Sequence, residues 1–164
     1  MNILSIDPGN EKSAYCIIEK DTLKPVEIRL IENKFLLEKI LKDDFDFYYD
    51  KAVIEMIASY GMAVGRTVFD TCVWIGIFKQ AIEAKKDYEI KADFLYRKEE
   101  KMHICGTMKA KDTNIRVALI DRFAKHDKKL GKGTKKNPDW FYGFKKDLWA
   151  AYAVAITYAE TRKG

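Results

Sequence analysis

The chain has 164 residues, 48% of them hydrophobic and 34% charged, with only nine glycines and three prolines, a composition that excludes disordered and fibrous classes. That length fits one domain over 1–164 built around a single core. No run approaches the roughly eighteen apolar residues of a membrane span, and no basic stretch followed by a long apolar run opens the chain, so a cytoplasmic protein without a membrane partner is expected. The net charge of +5 is gathered rather than spread. Eight lysines (125, 128, 129, 132, 135, 136, 145 and 146) face only Asp127 and Asp139 in that segment, a local excess of +6 that leaves the rest of the chain at −1. A polyanion is the natural partner of such a field.

In chain order, Asn2, Ile3, Leu4, Ser5, Ile6 and Asp7 predict a strand that ends in a carboxylate and breaks at Pro8 and Gly9. Strands over 13–19 and 26–32 follow, joined by short turns, and three such strands predict an antiparallel meander. Phe35, Leu36, Leu37, Ile40 and Leu41 carry a helical period that ends in the acidic run 43–46. Ala52, Val53, Ile54, Glu55, Met56 and Ile57 read as a buried central strand interrupted by one acid. A long helix over about 62–85 has apolar residues on more than one side, enough to pack on a sheet and also meet a second subunit. A strand over 88–96 and helices over 98–104, 111–124 and 146–161 complete the chain. The last helix is rich in alanine, which permits close approach to a sheet. This order predicts a mixed α/β sheet rather than a strict βαβ repeat.

Three carboxylates stand out. Asp7 ends the first strand, Glu55 lies inside an apolar one, and Asp147 opens the last helix. A carboxylate in a buried strand must be paired or bind a metal, and several converging acids can hold Mg²⁺ through oxygen ligands. Asp7 also fits a turn-forming residue before Pro-Gly, and Asp147 also fits a first-turn residue that complements the helix N-terminus. Cys16, Cys72 and Cys105 are odd in number, lack ligand spacing and read as reduced core residues. Neither His103 nor His126 has a partner at ligand spacing.

The run Ile3-Leu4-Ser5-Ile6-Asp7-Pro8-Gly9, the run Ala52-Val53-Ile54-Glu55, the helix over 111–123, and the closing helix with Ala153-Val154-Ala155-Ile156-Thr157-Tyr158 occur in an order that resembles the RuvC-type Holliday junction resolvases, the compact phage-encoded kind among them. The resemblance spans nearly the whole chain. It implies an RNase H-like fold, a mixed five-stranded sheet flanked by helices. It also implies a homodimeric endonuclease that resolves four-way junctions and related branched DNA in recombination or replication, in the host cytoplasm where it is phage-encoded. Two divalent ions, Mg²⁺ or Mn²⁺, would be held by a first-strand Asp, a central-strand Glu and two acids one turn apart on the last helix. The first three fall on Asp7, Glu55 and Asp147, and the fourth falls on Ala150, which cannot ligate a metal. Either a three-carboxylate site or an inactivating Asp-to-Ala replacement accounts for this, and the close match of the surrounding helix favours the replacement.

The family also places a lysine at the start of the penultimate helix, where Lys111 matches best and Lys109 is its neighbour. In the region that meets the junction lie Tyr60, which suits stacking on an unpaired base or packing in the core, and Arg66. Lys132, Lys135 and Lys136 are assigned to DNA phosphates, while Trp140, Phe141, Tyr142 and Phe144 either track that surface or anchor the loop. A different class of function remains open at this point, a protein that binds branched DNA without cutting it. An Asp and a Gly after a first strand also occur in actin-like nucleotidases, whose second domain this chain has no length for.

Overall fold

The first three strands, β1 (Asn2–Asp7), β2 (Lys12–Glu19) and β3 (Pro25–Glu32), form the predicted antiparallel meander in the computed structural model, which describes residues 1–85, 87 and 89–162. After α1 (Asn33–Lys42), strand β4 (Lys51–Met56) returns parallel to β1, and β5 (Ala92–Tyr96) lies parallel to β4 beyond α2 (Arg66–Glu83). The sheet order is β3-β2-β1-β4-β5, a mixed five-stranded RNase H-like sheet. Helices α3 (Arg97–Cys105), α4 (Asp112–Phe123) and α5 (Leu148–Thr161) complete it. Among the described residues, no helix is long and apolar enough to cross a membrane.

Strand alternation divides the interior into two cores. Ile3, Ala14, Cys16, Ile18, Val53 and Leu95 meet α4 and α5 on one face, whereas Leu4, Ile6, Tyr15, Ile17, Ala52 and Ile54 meet α1 and α2 on the other. Helix α5 is buried from Leu148 to Tyr158 except at half-buried Ala150, and its alanines 151, 153 and 155 let it lie directly on β1 and β2. Ser5 Oγ donates to the Ala151 carbonyl at 2.7 Å, tying the first turn of α5 to β1.

Some expected boundaries shift. The long helix begins at Arg66 rather than near 62, because Tyr60 and Gly61 both adopt positive φ and break the backbone before it. The fifth strand starts at Ala92, and Tyr88, part of its expected range, lies outside the described residues. Of the three free cysteines, Cys16 is fully buried while Cys72 and Cys105 are half-buried.

In the lysine-rich segment, packing accounts for most of the aromatics. Phe141 and Phe144 are buried against Trp149 and Tyr152, and Trp140 stacks on Phe123 while donating its indole N–H to Tyr152 at 3.0 Å. Tyr142 remains exposed.

Candidate active site

Asp7 and Glu55 share the strand parity of Ile3, Ser5 and Val53, so both point to the face covered by α5. They lie side by side because Ile6 pairs with Ile54, one residue earlier on each of two parallel strands. At the C-terminal ends of these strands the backbone leaves the sheet and opens room for side chains. The turn after Asp7 is held tightly. Gly9 N–H donates to Ser13 Oγ (3.1 Å), Ser13 Oγ donates to Asn33 Oδ1 (2.6 Å), and Asn33 Nδ2 donates back to the Gly9 carbonyl (2.8 Å). A Cβ on Gly9 would sit 2.2 Å from the Lys12 carbonyl oxygen, so a larger residue cannot take this turn without moving backbone.

The electrostatics are those of crowded acids. Burial raises the Asp7 carboxyl well above the ordinary carboxylate range, and the charges of Glu55 and Asp147 raise it further. Asp7 and Glu55 are close enough to act on each other's ionisation, an interaction that raises Asp7 further and lowers Glu55. Glu55 is also raised by burial, with Arg97 opposing. Asp147 stands at the N-cap of α5 without capping it, exposed and close enough to act on both strand acids. It lines a recess of about 190 Å³ together with Arg97, Asp112, Arg116, Lys146 and Ala150.

Three residues that sequence reasoning missed complete this neighbourhood. Arg97, the first residue of α3, places Nη1 3.1 Å from Glu100 Oε2 and 3.9 Å from Glu55 Oε1, and its Nη2 pairs with Asp112. Burial draws the guanidinium pKa down, but the Glu100 and Glu55 charges more than offset it and the net direction is up. Glu100 is fully buried and raised well above the ordinary range by that burial and by Glu55. The available signal was an Arg and a Glu three apart directly after a strand, which share a helix face and can both turn toward the strand ends.

The oxygen-only donor set of Asp7, Glu55 and Asp147 suits a hard divalent cation, and Glu55 Oε2 is buried without a hydrogen-bond partner among the described residues. Their chemistry therefore fits the implied metal. Their present spacing does not close around one, since among the described residues no three carboxylate, histidine or cysteine side chains converge as a cation cage. The Arg97 guanidinium instead supplies the local positive charge.

The remaining predicted residues occupy several surfaces. Lys111 is the exposed N-cap of α4, its backbone N–H bonded to Asn114 Oδ1 at 2.8 Å and its neighbour Asp112 paired with Arg97. Lys109 lines a separate groove with Ile104, Asn114 and Val117. Tyr60 is 62% exposed at the tip of the β4–α2 connection, with Lys98 Nζ 5.8 Å from its ring, so it does not pack in the core. Arg66 opens α2 and pairs with Asp70 at 3.6 Å. Lys132, Lys135 and Lys136 belong to a loop ordered by two acids. Asp139 accepts the backbone N–H groups of 125, 126, 127 and 140, and Asp127 accepts those of 129, 130, 132 and 133. Gly133, at φ +65° with no room for a Cβ beside the Asn137 carbonyl, allows the return of that loop.

No protein-family model and no curated protein sequence matches the chain. Solved structures do. Thermus thermophilus RuvC superposes with a TM-score of 0.62 at 13% identity over 97% of this chain and 93% of that one. The same protein in complex with a Holliday junction substrate gives 0.64 at 13% identity, covering 97% and 92%. The fowlpox virus Holliday junction resolvase gives 0.53 at 16% identity, covering 99% and 100%. At these identities the similarity is one of fold.

Proposed function

We propose that this chain is a divalent-metal endonuclease that acts on branched DNA as a homodimer, with Holliday junctions as its principal substrate. The observation that carries the reading is the half-buried Asp7–Glu55 pair, sharing one face with Asp147 at the C-terminal ends of the strands of an RNase H-like sheet. The similar fold of Thermus thermophilus RuvC, seen in complex with a Holliday junction substrate, and of the fowlpox virus Holliday junction resolvase supports it.

In this reading Asp7, Glu55 and Asp147 hold the cations. Bound there, Mg²⁺ or Mn²⁺ supplies Lewis-acid stabilisation of the phosphate oxygens and a lowered pKa for the attacking water. Asp7 and Glu55 must both be ionised to present their full negative charge. Lys146 and Arg116, on the wall of the recess beside Asp147, offer positive charge to the scissile phosphate, and Lys111 does so from the start of α4. Exposed Tyr60 stacks on an unpaired base, a contact worth about 1–3 kcal/mol. Lys132, Lys135, Lys136 and Lys109 track the backbone, with Arg66 at the junction side, so binding weakens steeply with salt. Helix α2 leaves Phe69 and Val73 62% exposed, a stripe suited to a second copy.

One observation favours a second reading, binding without cutting: Ala150 faces the recess where a fourth acid would stand. Labelled four-way and three-way junctions incubated with Mg²⁺ or Mn²⁺, using this chain beside Ala150→Asp, separate the two. Paired nicks from either protein, lost in Asp7→Asn, support the nuclease. Junction binding with no cleavage by either protein supports the binding-only reading.

A further inference from the structure

Glu100 is the least explained charge in the molecule. It comes from α3, an element with no ligand role in the reading above, yet its side chain is fully buried and its Oε1 has no hydrogen-bond partner among the described residues. Its other oxygen meets Arg97 Nη1 at 3.1 Å, and that same nitrogen lies 3.9 Å from Glu55 Oε1. An ion pair built only for stability satisfies both carboxylate oxygens, because an orphaned buried one carries its full desolvation penalty. Here two orphaned oxygens, Glu55 Oε2 and Glu100 Oε1, belong to carboxylates that share one guanidinium nitrogen, Arg97 Nη1. Such an arrangement suits a cation that is not the guanidinium. On α5, Ala150 lines the recess beside Asp147 and offers no oxygen ligand from its side chain.

Building on the proposed metal site, we propose that Glu100 is its fourth carboxylate, supplied from α3 in place of position 150, and that Arg97 is the tethered counter-ion that balances Glu55 and Glu100 until a divalent cation enters. The guanidinium stands where a cation shared by Glu55 and Glu100 would sit. Its Nη1 faces both of these acids while Nη2 pairs with Asp112, so a divalent cation that takes over the two carboxylates leaves the guanidinium held by Asp112.

The test is Mn²⁺ titration of the chelator-stripped full chain, followed by calorimetry and by thermal melting, for the wild type, Asp7→Asn, Glu100→Gln and Arg97→Gln. Glu100→Gln is expected to bind Mn²⁺ at least about tenfold more weakly, as loss of a ligand requires. Arg97→Gln is expected to melt lower in chelator and to regain its stability with Mn²⁺, because the cation replaces the missing charge. A purely structural Arg97–Glu100 pair would give a loss that Mn²⁺ does not restore. Where Glu100→Gln fails to fold, recovery of Arg97→Gln by Mn²⁺ supports the inference and its absence overturns it. If Asp7→Asn loses Mn²⁺ binding and Glu100→Gln keeps wild-type affinity, the role of Glu100 is overturned while the metal site stands. If the wild type binds no Mn²⁺, both fall.

Discussion

Asp7 combines two roles that pull against each other. Its carboxyl is held where burial and the charges of Glu55 and Asp147 disfavour ionisation, so the folded chain retains a proton that the unfolded chain releases near pH 4. The stabilisation from that proton is complete below about pH 4 and is lost as pH rises through the raised folded value. Asp7→Asn removes the charge but keeps the shape. It is expected to flatten this part of the stability–pH curve and to raise the melting temperature in chelator at pH 7 by roughly 2–4 °C, the equivalent of about 1 kcal/mol in a chain of this size. The same substitution is expected to abolish cleavage. A melting temperature that falls at pH 7, followed by scanning calorimetry, would contradict the proposed crowding of acids.

At the scale of elements, the lysine-rich loop shows the opposite sign of linkage. Four backbone N–H groups converge on Asp139 and four on Asp127, bonds that hold the Asp127 pKa down at about 2 and push that of Asp139 lower still. Their contribution is present above about pH 4, where the unfolded carboxylates ionise, and disappears as pH falls toward the depressed folded values. Asp139→Asn would replace one accepting oxygen with a donor facing two backbone N–H groups. The loop is then expected to be cut several-fold faster by trypsin at its lysines, and junction binding to weaken even though no DNA-facing lysine has changed. Unaltered proteolysis would show that the aromatic anchors Phe141 and Phe144 hold the loop by themselves. Helix α5 illustrates a quieter constraint: its alanines are small because the sheet lies directly beneath, and Ser5 fixes its first turn.

For the whole molecule, the sheet gathers Asp7 and Glu55 at the C-terminal ends of two adjacent interior strands while α2 leaves its apolar stripe on the surface. If a second copy covers that stripe, Phe69→Glu combined with Val73→Glu is expected to halve the mass in sedimentation equilibrium while leaving the circular dichroism unchanged. Junction cleavage would then change from paired nicks to single ones. Equal masses for variant and parent would remove α2 as the interface.

Hydrophobic period and Pro-Gly breaks are local signals, so the strand meander, the central apolar strand, the helical segments and the positions of Asp7, Glu55 and Asp147 within them were legible without the fold. An alanine also stood legibly at 150, where the resemblance implies a fourth acid. What the sequence left open were choices that depend on neighbours: whether Tyr60 packs or protrudes, and whether Phe141 and Phe144 track a surface or fill the core. Arg97 and Glu100 were invisible for the same reason. In sequence they are two charges in a polar helix, and the packing of that helix is what buries Glu100 and brings half-buried Arg97 within reach of Glu55, where desolvation makes each charge matter.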